Sequence, residues 1–131
     1  MFLSEALEDY LNAIYKLSIN ENTTRVTDIS NYLKVQKPST NNALRVLKEE
    51  GLVHYEKYKN VSLTEKGIAV AKQIHKRQKL FESFLKDVLE IDETLVKREA
   101  MKLSHCVSCH TTAKLERYIE TILEKKEETT C

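Results

Sequence analysis

The chain has 131 residues and a formal net charge of +1, with 41% hydrophobic and 31% charged residues. Its length suits one domain, or one small domain with a helical extension, and its composition is that of a globular chain rather than a disordered one. Two glycines and a single proline argue against an all-β fold and against a long flexible linker.

No apolar run of about 18 residues is present, so no membrane-spanning helix is expected. Met1-Phe2-Leu3 is followed at once by Ser4-Glu5, which does not make a signal peptide. A cytoplasmic protein is expected, and in that compartment three cysteines are reduced, buried or metal-bound rather than paired as disulfides. The charge is unevenly spread. Residues 1–24 carry one Lys/Arg against four Asp/Glu, residues 25–80 carry twelve against five, and residues 81–131 carry eight against eleven. A basic block flanked by acidic ends is the footprint of a nucleic-acid-binding module with a separate C-terminal task.

In chain order, Ser4 is a suitable N-cap for a helix over 5–17, with apolar residues Leu7, Tyr10, Leu11, Ile14, Tyr15 and Leu17 at helical spacing. Asp9 lies next to that stripe. A polar loop, 18–24, follows. Residues 25–63 read as a winged helix-turn-helix. A short helix starts near Thr27, with Val26 just before it as a staple, and carries Ile29 and Leu33. Pro38 suits the first turn of a second helix, expected over 38–50, and Gly51 suits its C-terminal stop. Two short helices joined by a tight turn match the length and spacing of the DNA-reading motif.

Residues 52–55 and 61–64 then read as two short strands around the polar turn 56–60, a small wing. Ser39, Thr40, Asn41, Asn42 and Arg45 on the second helix are the residues expected to face the major groove, with Lys37 beside them. Lys57, Tyr58 and Lys59 of the wing are expected to contact backbone or minor groove.

Thr64 can cap a long helix whose spacing runs through Ile68, Ala71, Ile74, Phe81, Phe84 and Leu85 to Val88 and Leu89. Asp92 can cap the next, expected from Glu93 to about His110, and a last helix is expected over about 112–125. Residues 1–74 are thus expected to form the DNA-binding domain, and 75–131 a helical dimerisation and metal-sensing domain. The fold class is mainly α. A homodimer on double-stranded operator DNA follows from the habit of such readers to bind pseudo-palindromes, with C2 symmetry.

The chemically rich piece is His105-Cys106-Val107-Ser108-Cys109-His110. On a continuous helix, His105 and Cys109 would be four apart, as would Cys106 and His110. Thiolate and imidazole suit zinc or an iron–sulfur cluster, whereas carboxylates with histidine suit manganese or iron. Buried, inert cysteines are the plain alternative. The string also matches the c-type haem attachment pattern, which belongs outside the cytoplasm. Cys131 is either a spare thiol or a further ligand.

The chain resembles the diphtheria-toxin-repressor family of iron- and manganese-dependent regulators, especially its short manganese-type branch. The resemblance rests on LEDYLNAIYKL, on VTDISNYLKVQKPSTNNALRVLKEEGLVHYEKYKNVSLTEKG, and on RQKLFESFL followed by SHCVS. It implies repression by a metal-responsive homodimer, with metal held between the first helix, the long helix and the first helix of the arm. Asp9 and His105 stand at two ligand positions, and Glu82 at a third. Asn12, Gln78, Met101 and Ser104 stand where the family places other ligands, and Lys97 where it places an ancillary histidine.

The loss of hard carboxylates beside a gain of Cys106, Cys109 and His110 implies a softer effector site. Zinc, iron, manganese or an iron–sulfur cluster is the expected cofactor, with Asp9, His105, Cys106, Cys109 and His110 as ligands. A thiol redox switch, an effector-independent DNA binder, and a winged-helix protein-interaction module without specific DNA binding are the alternatives. No Ser–His–Asp grouping, glycine-rich phosphate loop or paired catalytic carboxylates point to an enzyme.

Overall fold

A computed structural model describes the backbone of residues 3–129 and the side chains of residues 3–125. The chain divides into two compact units, one up to Ile74 and one from His75 onward. The order is α1 (Glu5–Leu17), α2 (Val26–Leu33), α3 (Lys37–Glu49), β1 (Val53–His54), β2 (Ser62–Leu63), α4 (Glu65–Ser83), α5 (Glu93–Cys106) and α6 (Cys109–Thr129). It is a mainly helical fold with a winged helix-turn-helix followed by a helical arm.

In the first unit, the Leu7 amide donates to Ser4 Oγ at 3.2 Å, the cap that starts α1. Leu11, Ala13 and Ile14 are fully buried, and they meet Ile29 of α2 and Leu44 and Leu47 of α3 in one core. Helix α2 starts one residue earlier than expected, so Val26 is its first residue rather than a staple before it. The turn into α3 is made by Lys34 in the left-handed region, φ +57°.

Helix α3 ends in a Schellman arrangement. The Leu52 amide donates to Leu47 O at 3.0 Å, the Gly51 amide to Lys48 O at 2.9 Å, and Gly51 adopts φ +75°. The wing follows, with Val53 opposite Leu63 and His54 opposite Ser62. Each strand is only two residues long, but β2 gains a neighbour that the periodicity did not signal. Thr24, in the loop before α2, exchanges both backbone hydrogen bonds with Val61, at 2.8 and 2.7 Å.

Thr64 then joins three elements. Its Oγ1 donates to Gly51 O at 2.6 Å and accepts from the Gly67 amide at 3.0 Å, capping α4. Lys66 Nζ donates to Glu50 O at 3.0 Å.

In the second unit the long helix does not run on as α-helix to Leu89. It passes at Phe84–Val88 into a π turn closed by Leu89 N–H to Phe84 O at 3.0 Å. Asp92 caps α5 as expected, accepting from the Thr94 amide at 3.0 Å, and that bond holds its carboxyl below the ordinary range. The helix expected over 93–110 stops at Cys106. Val107 is extended, φ −117° and ψ +136°, and Ser108 opens α6 by accepting from the Thr111 amide at 3.2 Å. The core of this unit is small: Phe81, Leu85, Val96 and Ala100, with Ile91, Val107 and Leu115 against them. No described helix is long and apolar enough to cross a membrane.

The two glycines separate two kinds of constraint. A Cβ on Gly51 meets nothing within 4 Å, so Gly51→Ala costs only the left-handed backbone, about 1 kcal/mol. A Cβ on Gly67 would stand 1.9 Å from Leu52 O, so Gly67→Ala is expected to cost at least about 3 kcal/mol. Urea unfolding of the two variants measures both.

Candidate nucleic-acid interface and effector residues

Helix α3 buries one stripe and exposes the rest. Thr40, Ala43, Leu44 and Leu47 recur at helical spacing and are the buried residues. Lys37, Ser39, Asn41, Asn42 and Arg45 are exposed. Thr40, expected among the groove-facing residues, therefore does not face the groove. Its side chain is fully buried, and its Oγ1 lies 2.8 Å from Ser30 Oγ, where the pair satisfies two hydroxyls inside the α2–α3 contact. The i, i+3, i+4 spacing of Thr40 with Ala43 and Leu44 was the signal for this.

Two hydrogen bonds organise the exposed side. The Tyr55 hydroxyl, on the chain just after β1, donates to Asn41 Oδ1 at 2.9 Å. Arg45 Nη2 donates to Asn42 Oδ1. A cleft of about 690 Å³ is lined by Pro38, Ser39, Asn41, Asn42, Arg45, Tyr55 and Lys57. A second, of about 450 Å³, shares Asn41 and Lys57 with the first and is completed by Lys37, Tyr58, Lys59 and Asn60 on the wing side and by Arg25 and Thr27 at the start of α2. Helix and wing thus line one continuous polar, basic surface. Tyr55, Arg25, Thr27 and Asn60 belong to it and were not singled out by sequence reasoning. Tyr55 read simply as a strand residue, because a contact across fourteen positions has no local signal.

At the wing tip Tyr58 is 94% exposed and adopts φ +67°, a region where bulky side chains are uncommon. The Lys57 ammonium sits 5.3 Å from its ring centroid. Lys59 Nζ bridges Glu56 at 2.8 Å. The hydrogen bond and charge of Lys59 hold the Glu56 carboxyl below its ordinary 4.5, and Glu56 raises Lys59 above its ordinary 10.5. The bridge is present through neutral pH. It is lost as pH falls through the lowered Glu56 value, or rises through the raised Lys59 value.

The five candidate ligands divide between the units. Asp9 is half-buried on α1 in the first unit. The other four fall in the second unit around the break between α5 and α6. His105 is half-buried in the last turn of α5, Cys106 ends that helix, Cys109 begins α6, and His110 follows it.

The helical i, i+4 pairing of His105 with Cys109, and of Cys106 with His110, does not form, because extended Val107 interrupts it. Both cysteines are exposed free thiols, not buried hydrophobes. Asn12, Gln78 and Ser104 are buried neutral groups, and Ser104 Oγ donates to Met101 O at 2.7 Å. Among the described residues no three of His, Cys, Asp or Glu converge to hold a metal ion. Cys131 lies outside the described residues.

Two family models match this arrangement. Residues 2–61 match "Iron dependent repressor, N-terminal DNA binding domain", and residues 64–128 match "Iron dependent repressor, metal binding and dimerisation domain". The chain belongs to the iron-dependent repressor family.

Within it, an HTH-type transcriptional regulator of Methanocaldococcus jannaschii is 35% identical over 94% of this chain and 99% of its own. The HTH-type transcriptional regulator MntR of Lysinibacillus sphaericus is 29% identical over 91% of this chain and 85% of its own. A solved manganese-dependent transcriptional repressor, in complex with manganese, matches with a TM-score of 0.79 and 26% identity over 87% of this chain. The chain spans about half the length of that structure, 52%. Of the ligand positions that the resemblance implies, Asn12, Gln78 and Ser104 carry neutral side chains, weaker donors to a divalent metal than carboxylate or imidazole.

Removing the Thr40 hydroxyl leaves Ser30 Oγ buried without its partner. Thr40→Val is expected to destabilise by about 1–3 kcal/mol in chemical denaturation, and adding Ser30→Ala to recover part of it. At the wing, carbon-detected NMR titration is expected to place Glu56 below its ordinary 4.5, and Lys59→Ala to raise it again.

Proposed function

We propose that this protein is a homodimeric, sequence-specific DNA-binding transcriptional regulator that represses by occupying its operator. The observation that carries this is the continuous exposed surface of α3 and wing, with Ser39, Asn41, Asn42 and Arg45 on the helix and Lys57, Tyr58 and Lys59 on the wing. An α-helix fits the major groove, where hydroxyl, amide and guanidinium groups meet base edges. Lys37 and the wing lysines meet phosphates, and Tyr58 reaches the neighbouring groove.

The basic block of residues 25–80, with twelve Lys/Arg against five Asp/Glu, supplies the attraction to the duplex. The second unit supplies pairing of two copies. Its own core is small, and it leaves Leu89, Leu103 and Tyr118 exposed as large apolar groups. The matched family domain is described as one of metal binding and dimerisation.

Binding of the full chain to its selected operator is expected to weaken linearly in log–log with salt. Arg45→Ala is expected to lower operator affinity about 10- to 100-fold without changing thermal stability. Lys57→Ala is expected to reduce the salt slope by about one. Affinity independent of salt would replace this reading with a protein-interaction winged helix.

The effector has a second reading, favoured by the exposure of Cys106 and Cys109 on the two sides of a helix break. The relatives' manganese belongs to those proteins. Among the described residues, the soft donors His105, Cys106, Cys109 and His110 are joined by no convergent carboxylate set. A dithiol input fits them better than a hard-metal input. Oxidation by hydrogen peroxide would join the two sulfurs, with two electrons and two protons passing to the peroxide to give two waters.

Operator affinity is expected to be unchanged by chelator or added manganese, to shift on peroxide treatment, and to lose that shift in Cys106→Ser and Cys109→Ser. Manganese-, iron- or zinc-dependent binding that survives both serine variants would restore a metal effector at Asp9 and His105. Iron with acid-labile sulfide in anaerobically prepared protein would instead assign a cluster to the cysteines.

A further inference from the structure

The exposed amides of α3 are each engaged by a neighbouring side chain. Arg45 carries only donors, so the Asn42 atom it meets is the carbonyl oxygen, and Asn42 is left with its NH2 for a ligand. The Tyr55 hydroxyl gives Asn41 the same polarity from the wing side, by donating to Oδ1 at 2.9 Å. Lys37 and Arg45 can only donate. On α3 the amide NH2 groups, Lys37 and Arg45 therefore offer donors, with acceptors left at Ser39 and at the second lone pair of each amide oxygen.

We infer that Tyr55 is a positioning residue that biases Asn41 toward donating, so that the base facing Asn41 is chosen for a keto oxygen over an exocyclic amine. In the major groove guanine offers N7 and O6, and thymine offers O4, all acceptors, whereas adenine and cytosine present an NH2 donor. An unconstrained asparagine favours adenine, because it accepts from N6 and donates to N7 at once. That bidentate contact would have to use the remaining lone pair of an Asn41 Oδ1 that Tyr55 already engages and orients. The residue that sets specificity at this position thus lies outside the recognition helix.

This inference rests on the DNA-binding reading above, and the test separates the two. The full chain, its Tyr55→Phe variant and its Asn41→Ala variant are each used to select duplexes from a randomised library. The wild-type motif is expected to contain one position per half-site with guanine or thymine enriched about tenfold over adenine. Tyr55→Phe, which keeps the ring and removes only the hydroxyl, is expected to bring adenine at that position to parity or above. Asn41→Ala is expected to erase the preference at that same position and no other.

A purely structural role for Tyr55 would lower affinity across all sequences and leave the motif unchanged, which overturns the inference. So does adenine preferred by the wild type at the Asn41 position. Failure of the wild type to select any motif overturns the DNA-binding reading itself.

Should Tyr55→Phe not fold, the wild type is measured on duplexes with unsubstituted purine in place of adenine at that position. Removal of the 6-amino group is expected to raise affinity about tenfold, and no change overturns the inference.

Discussion

The recognition helix, the wing and α4 are held together at one point, the turn that follows α3. Gly67 stands so close to the carbonyl of Leu52 that a methyl group would overlap it at 1.9 Å. Around that contact, Thr64 bonds the Gly51 carbonyl with one side of its hydroxyl and caps α4 with the other, and Lys66 covers the Glu50 carbonyl. The carbonyls of the turn that follows α3 are thus taken up by Thr64 and Lys66, beyond the wing. The wing is therefore closed at its base by α4, and its position against α3 is fixed before any ligand arrives. The exposed side of α3 depends on this, because Tyr55 reaches Asn41 only if β1, just before it, keeps its place beside the helix.

The legible parts of this fold were those with local chemical signals. Ser4, Pro38, Gly51, Thr64 and Asp92 each mark a helix end by what their side chain or backbone can do, and each stands at or within a residue or two of an observed end. Three features had no such mark, or a mark that was misread. Thr40 has a side chain suited to phosphate or base, and only its phase with Ala43 and Leu44 places it inside. The π turn over Phe84–Val88 adds one residue to a turn without changing the apolar pattern enough to be noticed. The break after Cys106 falls in a stretch whose apolar residues continue at plausible helical intervals, yet Ser108 with Thr111 and Thr112 beyond it is a start signal of the same kind as Ser4.

That break changes the meaning of the cysteines. On one helix they would share a face with a histidine neighbour each, an arrangement that a metal ion could join. Across two helices they end one rod and begin another, with an extended residue between. Their chemistry remains soft, but it is attached to the junction of the arm rather than to a helix side. Neutral groups, Asn12, Gln78 and Ser104, are buried where the family resemblance places charged or imidazole ligands, and neutral groups need no ion to balance them. Membership in a metal-dependent family and the ability of a given member to hold metal are thus separate properties, carried by different residues.

The backbone pair between Thr24 and Val61 limits how the wing can adapt to a duplex. Strand β2 is pinned on one edge by β1 and, one residue before it, by the segment leading into α2. The hairpin cannot pivot as a flap. The five residues 56–60 between the strands carry Tyr58 in the left-handed region and the exposed Glu56–Lys59 bridge. On the proposed DNA-binding reading, a short tip would act as a calliper, tolerating little variation in the width of the groove it enters. Stretches of DNA that hold that width without being deformed would then cost less to bind, even where no side chain touches a base.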